Sequence, residues 1–127
     1  TGGADEILFS VGSSASNVIY LNLTAAGNFQ VICNVGGVSE IVSVIGPILA
    51  GRNRFAVSIQ AGACIAVANG GAVVSMGTLS AIPSLTSLVV GTYPYVGAFQ
   101  VSAPIEHIVP FPRACTAGEL RAFVNNF

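Results

Sequence analysis

Charged residues are scarce in this chain of 127 residues: four arginines and five acidic residues make up 7% of it, and it has no lysine. Hydrophobic residues make up 53%. Soluble domains average about 25% charged residues, yet the stretches 7–39 and 55–105 carry no charge at all. The net charge is −1, and the sequence has no run of basic residues. It therefore lacks the positive patch through which proteins usually bind nucleic acids or anionic membranes. The hydrophobic content excludes a disordered chain.

A membrane protein is the main alternative for so apolar a composition. A spanning helix needs about 20 consecutive apolar residues, whereas Gly, Ser, Asn and Thr interrupt every apolar run here. The most hydrophobic window, 41–50, contains the helix-breaking pair Gly46-Pro47. Residues 1–6 are small and acidic, unlike a signal peptide, and a first residue other than Met suggests a processed chain or a fragment. We expect one soluble domain over residues 1–127.

Short alternating segments separated by turn residues follow one another along most of the chain. Gly36-Gly37 and Asn69-Gly70 are strong hairpin signals, since such pairs accept a positive φ. Regular spacing of short strands with turn chemistry between them predicts an all-β sandwich or barrel of antiparallel strands. The predicted strands cover residues 7–11, 17–23, 29–35, 38–45, 54–60, 63–68, 73–76 and 87–90, with a further strand-like segment at 105–109.

The C-terminal segment has a different pattern. Thr116 is followed three residues later by Glu119, as in a capping box. Leu120, Phe123 and Val124 then recur at helical spacing. One short C-terminal helix is therefore predicted after the last strand.

The cysteines do not form a recognisable metal or redox motif. Cys33, Cys64 and Cys115 are odd in number and lack a CxxC spacing. Cys33 alternates with Phe29, Val31 and Val35 and is predicted to be a buried free thiol that packs as a small hydrophobic residue.

Catalytic groups are too few for the common hydrolytic mechanisms. His107 is the single histidine, no nucleophile motif accompanies it, and one histidine with scattered cysteines does not make a zinc site. Glu119 is explained by the helix cap, and an approach of Glu40 to Glu106 is not required by any pattern. We predict that the protein is not an enzyme and has no metal or cofactor.

Aromatic residues in two places make sugar binding an alternative function. Sugars stack on aromatic rings, and the segment 91–97 carries Tyr93 and Tyr95 around a proline between two glycines. Tyr20 and Asn22 share one face of a predicted strand and form a weaker candidate. The commoner role of such tyrosines is to cover a sandwich edge or fill a subunit contact.

Four segments in order resemble a known module. They are 54–58 (RFAVS), 67–73 (VANGGAV), 82–91 (IPSLTSLVVG) and 105–120 (IEHIVPFPRACTAGEL). Together they resemble the concanavalin A-like (laminin G-like) jelly-roll modules of bacteriophage virion proteins, such as tail and capsid fibres. Here Ala68 is inserted before the Asn of the turn, Cys115 replaces the usual leucine, and the N-terminal half matches in pattern alone.

The resemblance implies a two-sheet antiparallel jelly roll that acts in a virion as a structural or attachment module without enzymatic activity. We expect a phage fibre or capsid decoration head that assembles as a homo-oligomer, for example a trimer, and contacts other virion proteins. Because sheet edges are usually protected by charges and this chain has no lysine, burial in an assembly would remove that need. The alternative is a lectin-like domain that recognises host surface glycan. A partner chain or an upstream segment would complete the sheet if an N-terminal strand is missing.

Overall fold

The computed structural model describes residues 5–91, 105, 108–109 and 113–126. Eight strands and one helix lie within them. The strands are β1 (Glu6–Ser14), β2 (Asn17–Leu23), β3 (Asn28–Val35), β4 (Val38–Pro47), β5 (Phe55–Ser58), β6 (Cys64–Ala68), β7 (Val74–Gly77) and β8 (Ser87–Val90), and the helix α1 spans Ala117–Asn126. Within the strand-like segment 105–109, Glu106 and His107 lie outside the described residues, and the three described residues belong to no strand. Tyr93 and Tyr95 also lie outside the described residues.

The strands form two antiparallel sheets. The larger has the order β4-β3-β2-β1-β8 and the smaller the order β5-β6-β7. Neighbours are consecutive in the chain except where β8 returns to pair with β1. The prediction of an all-β, two-sheet antiparallel sandwich with one short C-terminal helix is confirmed.

Three strands have an end that lies two or more residues from the predicted one. β4 continues to Pro47, two residues past its predicted end, because its last two residues still pair with β3. β1 continues to Ser14 because Gly12 and Ser14 still pair with Val18 and Asn17 across a bulge, although the Gly-Ser-Ser sequence is typical of a turn. β5 ends at Ser58, two residues before the predicted end. Local sequence indicates turn chemistry, but the pairing partner decides how far a strand continues.

Alternation along the strands places the main core between the two sheets. The larger sheet contributes Leu21, Val31 and Ile41, and β6 contributes Cys64 and Ala66, all at most 1% exposed. The Gly36-Gly37 turn has φ of 57° and 87° at its two residues, as a two-residue hairpin requires. A tight β3–β4 hairpin thus delivers alternate residues of both strands to one face.

Helix α1 forms a third layer on the outer face of the smaller sheet. Val67 points away from the main core, opposite its neighbours Ala66 and Ala68, and packs against Leu120 and Val124 of the helix. The predicted capping box is present in both halves: Thr116 N donates to Glu119 Oε2 at 2.8 Å, and Glu119 N donates to Thr116 Oγ1 at 3.2 Å. In the described part of the chain, no helix has the length and apolar character needed to cross a bilayer.

Candidate functional site: an arginine cleft

A cleft of about 310 Å³ opens where two connecting segments meet the C-terminal helix. Its walls come from the β4–β5 connection, the β6–β7 turn and the C-terminal half of α1. The lining residues are Leu49, Arg52, Arg54, Asn69, Gly70, Val124 and Asn125. We call this site the arginine cleft.

Asn53 holds the β4–β5 connection in shape. Its Oδ1 accepts a hydrogen bond from Leu49 N, and its Nδ2 donates to Leu49 O, both at 2.8 Å, and to Gly51 O at 3.1 Å. These side-chain hydrogen bonds satisfy backbone groups that would otherwise be paired within a strand or helix. The segment between Arg52 and Arg54 is therefore ordered without being a strand or a helix.

Asn69 joins this connection to the β6–β7 turn. Its Oδ1 accepts from Arg54 N at 2.8 Å, while its Nδ2 donates to Asn53 Oδ1 at 2.8 Å and to Pro47 O at 3.2 Å. Among the described residues, Asn69 is the one non-glycine with a positive φ, of 53°. Asparagine tolerates this conformation better than most residues do, so the turn keeps its side chain facing the connection.

The cleft concentrates positive charge in a chain that has little of it. Arg52 and Arg54 are two of the four arginines. A third, Arg113, is engaged elsewhere by a bidentate contact with Glu119, with nitrogen–oxygen distances of 2.8 and 3.1 Å. Arg54 is half-buried, and its guanidinium makes no hydrogen bond or ion pair with a described residue.

The side chains that line the cleft are suited to hydrogen bonding and not to catalysis. Guanidinium groups bind carboxylate and phosphate oxygens through paired N–H donors, and Asn125 adds a carboxamide that both donates and accepts. The lining includes no Asp, Glu, His, Cys or Ser in the described part of the chain. The same part contains no group of three or more His, Cys, Asp or Glu side chains that could hold a metal ion.

Tyr20 and Asn22, predicted as sugar contacts, lie on the outer face of the larger sheet. Tyr20 is half-buried against Ile7 and Val18, and its pKa is raised by burial and by the nearby charge of Asp5. Asn22 is 3% exposed, and its Nδ2 lies 3.5 Å from Asp5 Oδ2. The Asn22 carboxamide is buried, so it cannot contact a sugar at the surface. Of the two predicted sugar contacts, Tyr20 alone is accessible on this face.

Glu40 has a defined structural partner. Its carboxylate accepts hydrogen bonds from the Ser80 hydroxyl and from Ser80 N, the latter at 2.7 Å. The side-chain bond first and then the backbone bond lower the pKa of Glu40. The carboxylate thus fastens β4 to the segment after β7. Glu106, with which an approach was left open, lies outside the described residues.

The cysteines are free thiols, and two of them belong to the core. Cys33 and Cys64 are 0% exposed. Burial, followed by the charges of Cys64 and Glu40, raises the pKa of Cys33 to about 11, so the thiol is protonated at neutral pH. The prediction that Cys33 packs as a small buried hydrophobic residue is confirmed. Cys115 is half-buried beside the helix.

Sequence reasoning missed the arginine cleft. Arg54 and Asn69 belong to the quoted segments 54–58 and 67–73, and the structure joins these segments through the bond from Arg54 N to Asn69 Oδ1. The available signal was the placement of two of four arginines two residues apart, in an otherwise uncharged region. The contribution of Asn125, from the far end of the chain, had no local signal.

The chain matches no protein-family model and no curated protein. Among solved structures it is similar to residues 221–444 of an S-layer domain-containing protein from Clostridium thermocellum, with a TM-score of 0.46 and 16% identity. The similarity covers 95% of this chain but 63% of that one, so this chain spans less than two thirds of that structure.

Proposed function

We propose that the chain is a structural or attachment module without enzymatic activity that assembles with copies of itself through the edge of its larger sheet. The resemblance to phage fibre modules supports a virion as the setting. The observation that carries the proposal is the composition of β4. In the described part of the chain this strand pairs with β3 alone, and it presents Val42 and Val44 at 59% and 52% exposure.

The exposed stretch of β4 is regular enough to pair with another strand. Bulges against β3 lie on either side of it, and between them Ile41 to Val44 keep an unbroken antiparallel register with Cys33 to Gln30. Ile41 faces the core, while Val42 and Val44 face outward. Exposed apolar edge strands without lysine are the kind that associate.

Charge does not oppose pairing of β4 with β4 of a second copy. Glu40 is the one charged residue of the strand, and its carboxylate is bound by Ser80. A two-fold axis at Ser43 would place Val42 opposite Val44 of the second copy, and Glu40 opposite glycine. Such apolar cross-strand pairs stabilise a sheet by roughly 0.2–1 kcal/mol each.

The test is the oligomeric state at micromolar concentration, measured by sedimentation velocity and light scattering. We expect the wild type to self-associate and the double variant Val42→Lys, Val44→Lys to be monomeric, because buried lysines would be unpaired at the contact. Ala122→Lys, at an exposed position of α1, is the matched control and should associate normally. A monomeric wild type, or association that survives the double variant, would contradict the proposal.

A closed assembly larger than a dimer, such as the expected trimer, needs a second contacting edge. Among the described strands, β8 is the other edge of the same sheet, and its Leu88 and Val90 are 44% and 46% exposed. Leu88→Lys should then reduce a larger assembly to the dimer. Locating the chain in the density of an intact particle tests the virion setting.

A further inference from the structure

We propose that the Asn69-Gly70 pair is a modification site, at which deamidation irreversibly releases the β4–β5 connection from the β6–β7 turn. Neither self-assembly nor a ligand in the arginine cleft is needed for this reaction. In the whole sequence, Asn69 is the one asparagine that precedes a glycine. Because glycine has no Cβ, its backbone nitrogen can approach the side chain of the preceding asparagine without hindrance.

The reaction replaces the Asn69 carboxamide by a carboxylate and consumes water. Gly70 N attacks Asn69 Cγ and loses its proton. The Cγ–Nδ2 bond breaks, and the amide nitrogen takes up a proton and leaves as ammonia. Water then opens the resulting cyclic imide at either carbonyl, which gives aspartate or isoaspartate. Gly70 is exposed, so solvent water reaches the reacting bonds.

The fold opposes this reaction, because three hydrogen bonds hold the Asn69 carboxamide against the β4–β5 connection. Its Oδ1 accepts from Arg54 N at 2.8 Å, and its Nδ2 donates to Asn53 Oδ1 at 2.8 Å and to Pro47 O at 3.2 Å. The backbone is fixed as well, since Asn69 N donates to Arg54 O at 2.7 Å. The carboxamide therefore cannot turn towards Gly70 N without losing these bonds, and two of them retain the leaving nitrogen.

The product of the reaction cannot restore the network. A carboxylate accepts hydrogen bonds but donates none, so the oxygen that replaces Nδ2 faces two other acceptors, Asn53 Oδ1 and Pro47 O. Asn53 cannot turn to offer a donor, because its own Nδ2 holds Leu49 O and Gly51 O. Unpaired acceptors that face one another are unfavourable, so the connection separates from the turn.

The site thus records local opening of the connection in one direction. Deamidation proceeds while the connection is detached, as happens in local unfolding, and the product then keeps it detached. Asn69 and Arg54 both line the arginine cleft. Detachment therefore also changes the shape of that cleft.

The test is peptide mass spectrometry of the chain after incubation in mildly alkaline buffer, with and without denaturing urea. We expect Asn69 to deamidate at least about tenfold more slowly without urea, because one hydrogen bond lost on the way to reaction corresponds to a factor of about ten. Asn34 precedes the β-branched Val35 and is the internal control. It should react far more slowly than Asn69 in urea.

Variants separate the network from general stability. Asn53→Ala removes the acceptor of one Nδ2 bond and should accelerate deamidation of Asn69 in the folded protein by severalfold. Asn34→Ala is the matched control. It removes a carboxamide that bonds Ala15 O in a different turn, and it should leave the rate unchanged. Circular dichroism verifies the fold of both variants.

Asn69→Asp reproduces the product without the reaction. Asp and Gly both tolerate the positive φ of this position, but only Asp introduces a carboxylate opposite the two acceptors. We therefore expect urea denaturation at pH 7 to show Asn69→Asp less stable than the wild type and less stable than Asn69→Gly.

Three results would overturn the proposal. They are a rate without urea that equals or exceeds the rate in urea, an unchanged rate in Asn53→Ala, and an Asn69→Asp variant as stable as Asn69→Gly. The first two remove the protective role of the network, and the third removes the release by the carboxylate. None of these results bears on the β4 contact, which is measured as an oligomeric state.

Discussion

Glu119 shows how one side chain can serve two structural purposes. Its carboxylate closes the capping box with Thr116 and also receives the bidentate guanidinium of Arg113. The bond from Arg113, followed by that from Thr116 N, lowers the pKa of Glu119 from 4.5 to about 2. The ionised form is thus favoured in the folded protein, which fastens the segment before α1 to its first turn.

The lowered pKa of Glu119 predicts a pH dependence of stability. A folded pKa below the unfolded one contributes stability that is complete above pH 4.5 and is lost as pH falls towards about 2. Glu119→Gln retains a capping side chain but no charge. We expect urea denaturation to show the variant less stable than the wild type at pH 7, with the difference shrinking between pH 4.5 and 2. A difference that is constant with pH would contradict ionisation as the cause.

At the scale of single elements, the β1–β2 hairpin depends on close approach of two backbones. Gly12 pairs with Val18, and a Cβ at Gly12 would lie 2.5 Å from Asn17 O and 2.9 Å from Val18 Cα. Real Cβ atoms do not approach backbone so closely, so any side chain forces the strands apart. The bulge next to Gly12 lets β1 continue past a sequence that is typical of a turn.

The contact at Gly12 predicts that Gly12→Ala destabilises the domain by about 2 kcal/mol or more, as overpacking against backbone does. Gly62→Ala is the matched control, because no atom lies within 4 Å of its Cβ position and its φ is not positive. It should be neutral or slightly stabilising. Thermal and urea unfolding of both variants provide the measurement, and equal effects of the two substitutions would refute the steric argument.

At the scale of the whole molecule, the scarcity of charge has different consequences at two surfaces. The edge of the larger sheet is apolar at Val42 and Val44, whereas the arginine cleft gathers Arg52 and Arg54. Contacts made by apolar surfaces and contacts made by ions respond oppositely to salt. The response to salt therefore tells whether apolar surface or charge holds the copies together.

We expect sodium sulfate to strengthen self-association, since it favours burial of apolar surface. Sedimentation velocity across a sulfate series measures this, with sodium chloride at matched ionic strength as the control for screening. Dissociation on adding either salt would indicate that charges, and not the valines of β4, hold the copies together.

The strands and the helix were predictable from the sequence because their signals are local. Turn pairs such as Gly36-Gly37, alternation along β2 and the Thr116–Glu119 box each act within a few residues. The burial of Cys33 followed from the same alternation. The ends of β1, β4 and β5 were not predictable, because a strand ends where its partner stops pairing.

By itself, the sequence determined the fold class, the order of the elements and the scarcity of charge. Tertiary structure alone decided which residues meet. It buried Asn22 beside Asp5, bound Glu40 to Ser80 across 40 positions, and brought Asn125 of the helix to Arg54 and Gly70. The physical reason is that local conformation depends on neighbours in the chain, whereas a cleft depends on how layers pack, to which residues far apart in sequence contribute together.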